Sequence, residues 1–554
     1  MRYWFLLLPL FFVTASETEE IKMHSLFLMQ NNEIESALQS YQQYCSKSEK
    51  YDFETLQQLG IIMLQKGIQS DDPQTFLMSL FGAGVSGSAG AMEILEKGLH
   101  YPDPQVQLLS LHFITALEDD KINDYLNEAM SSDFLSTRME AAFYMCKCKH
   151  PMAVGQIEGL MARLPTMLKP YFPSFFALLG TNEATKSLKR LLEDNDPQVR
   201  IESILNIAKT SRDDFLPQLR RKLSHSHIAE IEATIYAIGA LKDTSSLSKL
   251  KKLAQSPTES IRLASAIALH QLGDRSEIHQ IISLAKKNNL FAIFSLGKIT
   301  DTEEILSELA HSPDFQVRIN AGLALLQHHD ARCLPALCEI LITDSRDLAF
   351  HPMQSVGRTL TAFKAIPSAE IRSKDPSIDL SYSTTLRESF LKESLLLPEE
   401  AFLALTRTIF LKQQNDLVPT TIALLENLRT PASIALLKEG TRKISSPLIR
   451  DYCHLSLYRL KEIGPYEERV THWILQQKTA ELIRLRPILP WKYRMEQSDY
   501  TLSTEETSRL LIDSFLAVAN RRNEQSISLV LKAMQNGLAQ NRYPIMGLLM
   551  RATE

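Results

Sequence analysis

One distance recurs through this chain: 31 residues. Ala83, Ile114, Met145, Phe176, Ile207, Ile238 and Leu269 form an apolar column at that spacing, which tightens to 27 and 29 at Leu296 and Leu325. Other columns keep the same register. The prolines of Asp72-Pro73, Asp103-Pro104 and Asp196-Pro197 each fall ten residues before a column position. Arg138, Arg200, Arg262 and Arg318 fall seven before, and Asp119, Asp243, Asp274, Asp301 and Asp330 fall five after. Agreement among independent columns marks a repeat array, whose units are too small to bury an apolar face alone and must share a core with their neighbours. Composition agrees: 19 glycines in 554 residues is about half the usual share, which excludes turn-rich sandwiches and propellers.

Within a unit the pattern is helix, turn, helix. In the stretch from Ile261 to Leu272, positions 261, 265, 268, 269 and 272 share one face at helical spacing. Gly273-Asp274 stops that helix, because glycine tolerates a left-handed cap and aspartate can cap the next helix. Ile278, Ile281, Ile282 and Ala285 then make a second apolar face. The segments Asp196-Pro197-Gln198-Val199-Arg200, Pro257-Thr258-Glu259-Ser260-Ile261-Arg262 and Pro313-Asp314-Phe315-Gln316-Val317-Arg318 resemble the turn and inner-helix start of HEAT repeats. The units are similar to the short form also found in bacterial bilin-lyase-like HEAT proteins, a resemblance that covers about residues 70–345. That resemblance implies an all-α fold, an α-α superhelix of stacked helical hairpins. It also implies that Arg138, Arg200, Arg262 and Arg318 pair with the turn residues Asp243, Asp274, Asp301 and Asp330 of adjacent units, a ladder that sets repeat spacing. A groove lining for acidic ligands is the other use of the same arginines. Around 151–182 the Asp-Pro and Arg are missing, and Pro170 and Pro173 predict a distorted unit or hinge.

Outside the array the reading is coarser. Residues 1–16 have the build of a signal peptide: Arg2, an apolar run from Tyr3 to Val13, and small residues at Thr14-Ala15-Ser16. An export signal with cleavage near Ala15 or Ser16 is expected, giving a periplasmic or secreted protein. The chain has no N-x-S/T sequon, which points to a bacterial envelope. Residues 17–69 are expected to cap the start of the stack and 487–554 to supply a loop and a closing helical cap. Between them, 346–430 is expected to be irregular and helical, with a loop at 365–385. One further unit is expected at 431–486, on the strength of Ser446-Pro447-Leu448-Ile449-Arg450.

Chemistry-bearing motifs are sparse. Gly82-Ala83-Gly84-Val85-Ser86-Gly87 fits a dinucleotide fingerprint, but no strand precedes it, and a small-residue turn between close helices is expected. Cys146 and Cys148 stand two apart on a helix and cannot easily pair; the six cysteines are expected to be inert thiols. Cys146 to His150, and His328-His329-Asp330 with Cys333, lack zinc spacing. Ser295-Leu296-Gly297-Lys298 matches S-x-x-K without its partner motifs. No H-E-x-x-H, P-loop, G-x-S-x-G or C-x-x-C occurs, so no catalytic residue, cofactor or metal site is assigned.

What remains is surface. Five residues after the Arg position stand His112, Phe143, Tyr236, Ile267 and Phe294, an apolar stripe flanking the core face of the inner helices. Phe143, Tyr236, Ile267 and Phe294 are the candidate partner-binding residues, although the same positions suit packing between repeats. Residues 1–344 carry 32 Lys+Arg against 42 Asp+Glu, and 345–554 carry 28 against 23, so the array lacks the basic field of nucleic-acid binding. The expected function is a non-enzymatic protein-protein interaction scaffold of the bacterial cell envelope, taking a protein or extended peptide partner in the concave groove. The alternative is a bilin-lyase-like enzyme or small-molecule carrier on the same fold.

Overall fold

The computed structural model describes residues 8–117, 121–343, 347–370, 381–476, 483–485 and 506–553. Residues 1–7 of the expected signal, Asp119, residues 371–380 of the expected 365–385 loop and the expected break at 487–503 lie outside these; of that loop, 365–367 end a strand and 381–385 begin a helix instead. In chain order, α1 (Leu8–Gln30), α2 (Ile34–Ser48) and α3 (Phe53–Gly67) precede the hairpins. Then come α4 (Pro73–Ser86) and α5 (Met92–Leu99), α6 (Pro104–Ile114) and α7 (Ile122–Ala129), α8 (Leu135–Lys147) and α9 (Ala153–Arg163), α10 (Phe172–Leu179) and α11 (Asn182–Leu192). They continue as α12 (Pro197–Lys209) and α13 (Leu216–Lys222), α14 (Ile228–Ala240) and α15 (Leu247–Leu253), α16 (Glu259–Gln271) and α17 (Ile278–Lys286). The last of the run are α18 (Leu290–Leu296) and α19 (Glu303–Leu309), α20 (Phe315–Gln327) and α21 (Leu334–Ile342). No described helix is long and apolar enough to cross a membrane.

The even-numbered helices from α4 to α20 carry the column, and all nine column residues are fully buried. Their starts follow from the Asp-Pro pairs: Asp72, Asp103 and Asp196 accept backbone N–H groups of the first turn, and the proline behind each has no N–H to lose. Their ends are as regular. Lys149, Gly180, Ser211, Lys242 and Gly273, again 31 apart, all take positive φ and close their helices in the left-handed cap. The unit around 151–182 keeps register by shortening. A 3₁₀ turn at Thr166–Tyr171 absorbs Pro170, Pro173 sits in the first turn of the eight-residue α10, and Phe176 stays in the column.

The ladder runs between other partners than the resemblance implies. Arg138, Arg200, Arg262 and Arg318 each donate Nη1 to two carbonyls five and six residues back, such as Ser256 and Pro257 for Arg262, stapling their own turn. Arg450 does the same to Ile444 and Ser445. The aspartates pair with the preceding unit: Asp243 with Arg220 at 2.7 Å, Asp274 with Lys251 at 2.7 Å, and Asp301 with Arg275 at 2.8 Å. Asp330 instead holds Arg332 of its own turn, which reaches back to Glu304. Each arginine stands in the first turn of its helix, beside the carbonyls of the interhelical turn that leads into it, and proximity decides the pairing.

The chain forms two compact units, residues 151–456 and the two flanking segments 1–150 and 457–554. In the second, discontinuous unit α4, α6 and α8 stack in order. The helices Glu506–Ala519, Glu524–Asn536 and Arg542–Thr553 complete it, and the last packs on α3 and α4. Arg542–Thr553 buries nearly every side chain, and a helix apolar all round has to lie inside. The segments expected as caps at opposite ends of a stack thus share one interior. The Gly82–Gly87 motif serves that contact: Gly82 is within α4, where a Cβ would collide with the carbonyl oxygen of Tyr543. Gly82 is thus part of a helix crossing, while Gly87, at positive φ, makes the expected turn out of α4.

In the continuous unit α10, α12, α14 and α16 stack, as do α18 and α20. After α21 the expected irregular helical region begins instead with a β-hairpin, β1 (Leu348–Gln354) and β2 (Thr361–Pro367), antiparallel with Phe350 opposite Ala365 and Pro352 opposite Phe363. Helices resume at α22 (Ser381–Glu393) and α23 (Glu399–Leu411), then Val418–Leu428, Pro431–Lys443 and Pro447–Arg459.

Candidate peptide-binding face

The hairpin lies across the inner helices of its own unit, and the contacts that seat it are polar and directional. On α20, the Asn320 carboxamide donates Nδ2 to the Phe363 carbonyl at 2.7 Å and accepts the Phe363 N–H at 2.8 Å. One helical turn earlier, Gln316 does the same for Ala365, at 3.0 and 2.9 Å. The match is geometric. Four residues of α-helix rise about 6.0 Å and two residues of strand about 6.8 Å, so carboxamides at i and i+4 meet alternate peptide groups of an extended chain. Each carboxamide carries one donor and one acceptor side by side, as a peptide group does, and takes the place of a neighbouring strand along the edge of β2. Because Phe363 turns its backbone to Asn320, Pro352 opposite it sits where β1 needs no N–H toward β2.

At the hairpin tip the seat is a carboxylate. Glu232 on α14 is fully buried, and its Oε1 accepts from the Ser355 hydroxyl, from the Gly357 N–H at 3.2 Å and from the Thr359 hydroxyl at 2.8 Å. Gly357 is required by close approach, since a Cβ there would stand 2.8 Å from the Ala229 carbonyl oxygen. Arg358, at positive φ, reaches Glu202 on α12 with Nη1 at 2.7 Å. Glu232 Oε2 and Arg358 Nη2 are buried without a hydrogen-bond partner. Between these anchors the Phe363 ring packs edge-on between Phe294 (5.1 Å) and Phe390 (5.2 Å).

Of the candidate binding residues, Phe294 is thus at the seat. Tyr236 stands one turn beyond Glu232 on α14 and is 37% exposed. Ile267 on α16 is half-buried, and Phe143 is half-buried on α8 of the other unit beside Tyr144. Phe143 belongs to the discontinuous unit, and of the three in residues 151–456 it is Phe294 whose ring meets the hairpin. Sequence reading missed the polar readers Gln316, Asn320, Glu202 and Glu232. Glu202 and Asn320 each stand two residues past the repeat arginine, a register that pointed to them.

Beside the seat, Glu230 is fully buried between Arg200 (2.9 Å) and Lys222 (3.1 Å), with Lys222 also reaching Glu193. Burial pushes the Glu230 carboxyl up, but the hydrogen bonds from Arg200 and Lys222 outweigh it and hold the group below the usual carboxylate range. Burial lifts the Cys45, Cys338 and Cys453 thiols and pushes Cys146 and Cys333 up to about 12, away from thiolate chemistry. Cys146 and Cys148 are unpaired. Ser295 spends its hydroxyl on the Phe291 carbonyl, and His328 lies against Thr302 and the Leu296 carbonyl.

A family model described as HEAT repeats matches residues 184–270, the units from α11 to α16. No curated protein sequence matches the chain. Among solved structures, the complex of CpcE and CpcF of phycocyanin lyase from Nostoc sp. PCC7120 aligns at 19% identity over 39% of this chain and 92% of that one, TM-score 0.30. A Kap121p mutant aligns at 13% identity over 96% of this chain and 58% of that one, TM-score 0.35, and Kap121p bound to the extreme C-terminus of Cdc14p at 12%, 94% and 57%, TM-score 0.35. Residues 184–270 thus carry HEAT repeats, and the same column and arginine staples recur in register on either side of them.

Proposed function

We propose that this protein is a non-enzymatic scaffold of the bacterial cell envelope, exported by its amino-terminal signal, that binds polypeptide on the inner-helix face of residues 151–456. The observation that carries the reading is the pair of carboxamides, Gln316 and Asn320, spaced on one helix to bond alternate peptide groups of an extended chain. A surface that reads backbone is made for polypeptide rather than for a small molecule. A photo-crosslinking residue placed at Tyr236, one turn from Glu232 and open to solvent, tests it. Polypeptide adducts are expected, mapped to extended segments and reduced when an excess of unlabelled peptide is added. A purified protein with strong visible absorbance and no polypeptide adduct would instead support the alternative, a bilin-lyase-like enzyme or carrier.

A further inference from the structure

The hairpin at residues 348–367 occupies the proposed binding face, and this inference rests on that reading. We propose that the hairpin is a resident ligand held in cis, displaced by a partner segment of the same chemistry: an extended strand bearing an aromatic residue, joined to a glycine-arginine turn with hydroxyl residues on either side.

Three observations carry this. First, recognition along β2 is by side chain to backbone, through Gln316 and Asn320, so it sets the occupant's conformation and leaves most of its sequence open. The one side chain it selects is the ring between Phe294 and Phe390. Second, the tip fits a specific turn. Glu232 collects two hydroxyls and a glycine N–H from Ser355, Thr359 and Gly357, and Glu202 takes the Arg358 guanidinium, while Val356 between them points to solvent at 62% exposure. Third, the seat is not saturated. Glu232 Oε2 and Arg358 Nη2, one from each side of the contact, are buried and unpartnered. An occupant whose arginine reaches both Glu202 and Glu232 would satisfy what the hairpin leaves open, and bind the same face more tightly.

The probe is a labelled, cyclised peptide of residues 348–367, measured by fluorescence anisotropy against two forms of the full chain. One is intact; the other has 348–367 replaced by a short Gly/Ser linker, its helicity and sedimentation matched to the intact chain. The linker form is expected to bind the peptide, the intact form to bind about tenfold more weakly or less, and Asn320→Leu in the linker form to cost about tenfold, the loss of one carboxamide pair. An Arg358→Glu peptide is expected to lose binding by a similar factor. No binding to a folded linker form, or equal binding to both forms, overturns the proposal. Should the linker form not fold, hydrogen exchange on the intact chain decides: the Phe363 and Ala365 amides are expected to exchange well before those of α12 to α16. Exchange only with those helices would show a fixed core element and overturn it. Polypeptide adducts at Tyr236 together with no peptide binding would sink this proposal alone and leave the scaffold reading standing.

Discussion

Four residues past the core column, Lys149, Gly180, Ser211, Lys242 and Gly273 all sit at positive φ, and only two of the five are glycine. For a residue with a Cβ the left-handed region costs about 1–2 kcal/mol, so this position is strained at Lys149, Ser211 and Lys242, and again at His329 four residues past Leu325. Gly273, at φ +88°, has nothing within 4 Å of where a Cβ would stand. Gly273→Ala therefore tests the backbone term without a clash, and an expected loss of about 1 kcal/mol is measured from the urea midpoint at constant slope. Ser211→Gly works in the opposite sense and is expected to gain about 0.5 kcal/mol, since glycine's extra chain entropy offsets part of the relief. A neutral Gly273→Ala would mean that the cap relaxes locally and that the periodic turn is not what fixes the helix end.

Glu230 joins α12, α13 and α14, and its energetics belong to those elements together. Its folded carboxyl lies below the ordinary range, so its contribution is fully present above an unfolded pKa of about 4.3 and is lost as pH falls through the lower folded value. Glu230→Gln leaves the buried Lys222 with only Glu193, and a loss of about 3 kcal/mol is expected at pH 7. Denaturation from pH 7 down to 3 checks the sign: the gap between wild type and variant narrows below about pH 4. A constant gap would place the effect in packing. At this scale the legible features were those fixed by nearest neighbours, such as the Asp-Pro caps, the column from Ala83 to Leu325 and the stop at Gly273. The hairpin was not, because β2 buries Ala362, Phe363 and Ala365 without alternation, one edge being covered by α20. Its one local signal was the turn at Ser355 to Thr359, with Gly357 inside. Glu202 and Asn320 read as ordinary polar helix residues until a strand lies against them.

At the scale of the whole molecule the sequence order is misleading, because the discontinuous unit is built from both ends of the chain. Nothing local pairs α4 with Arg542–Thr553; what brings them together is that each has a face too small-sided to sit anywhere but against the other. A Cβ on Gly547 would collide with the Gly82 carbonyl oxygen, and one on Gly82 would meet Tyr543 backbone, so the two helices touch through main chain. Backbone cannot move aside as a flexible side chain can, and Gly547→Leu has to drive the helices apart, with an expected cost of about 3 kcal/mol. Gly155 on α9, with open space where a Cβ would stand, supplies the control: Gly155→Ala is expected to gain about 0.5–1 kcal/mol from helix propensity. Hydrogen exchange separates a local from a global effect. Gly547→Leu is expected to strip protection from α3, α4 and Arg542–Thr553, and to leave α12 through α16 of residues 151–456 as protected as before. If protection instead falls evenly through both units, the two segments flanking residues 151–456 do not form a folding unit of their own, and the division of the chain into these two units is wrong.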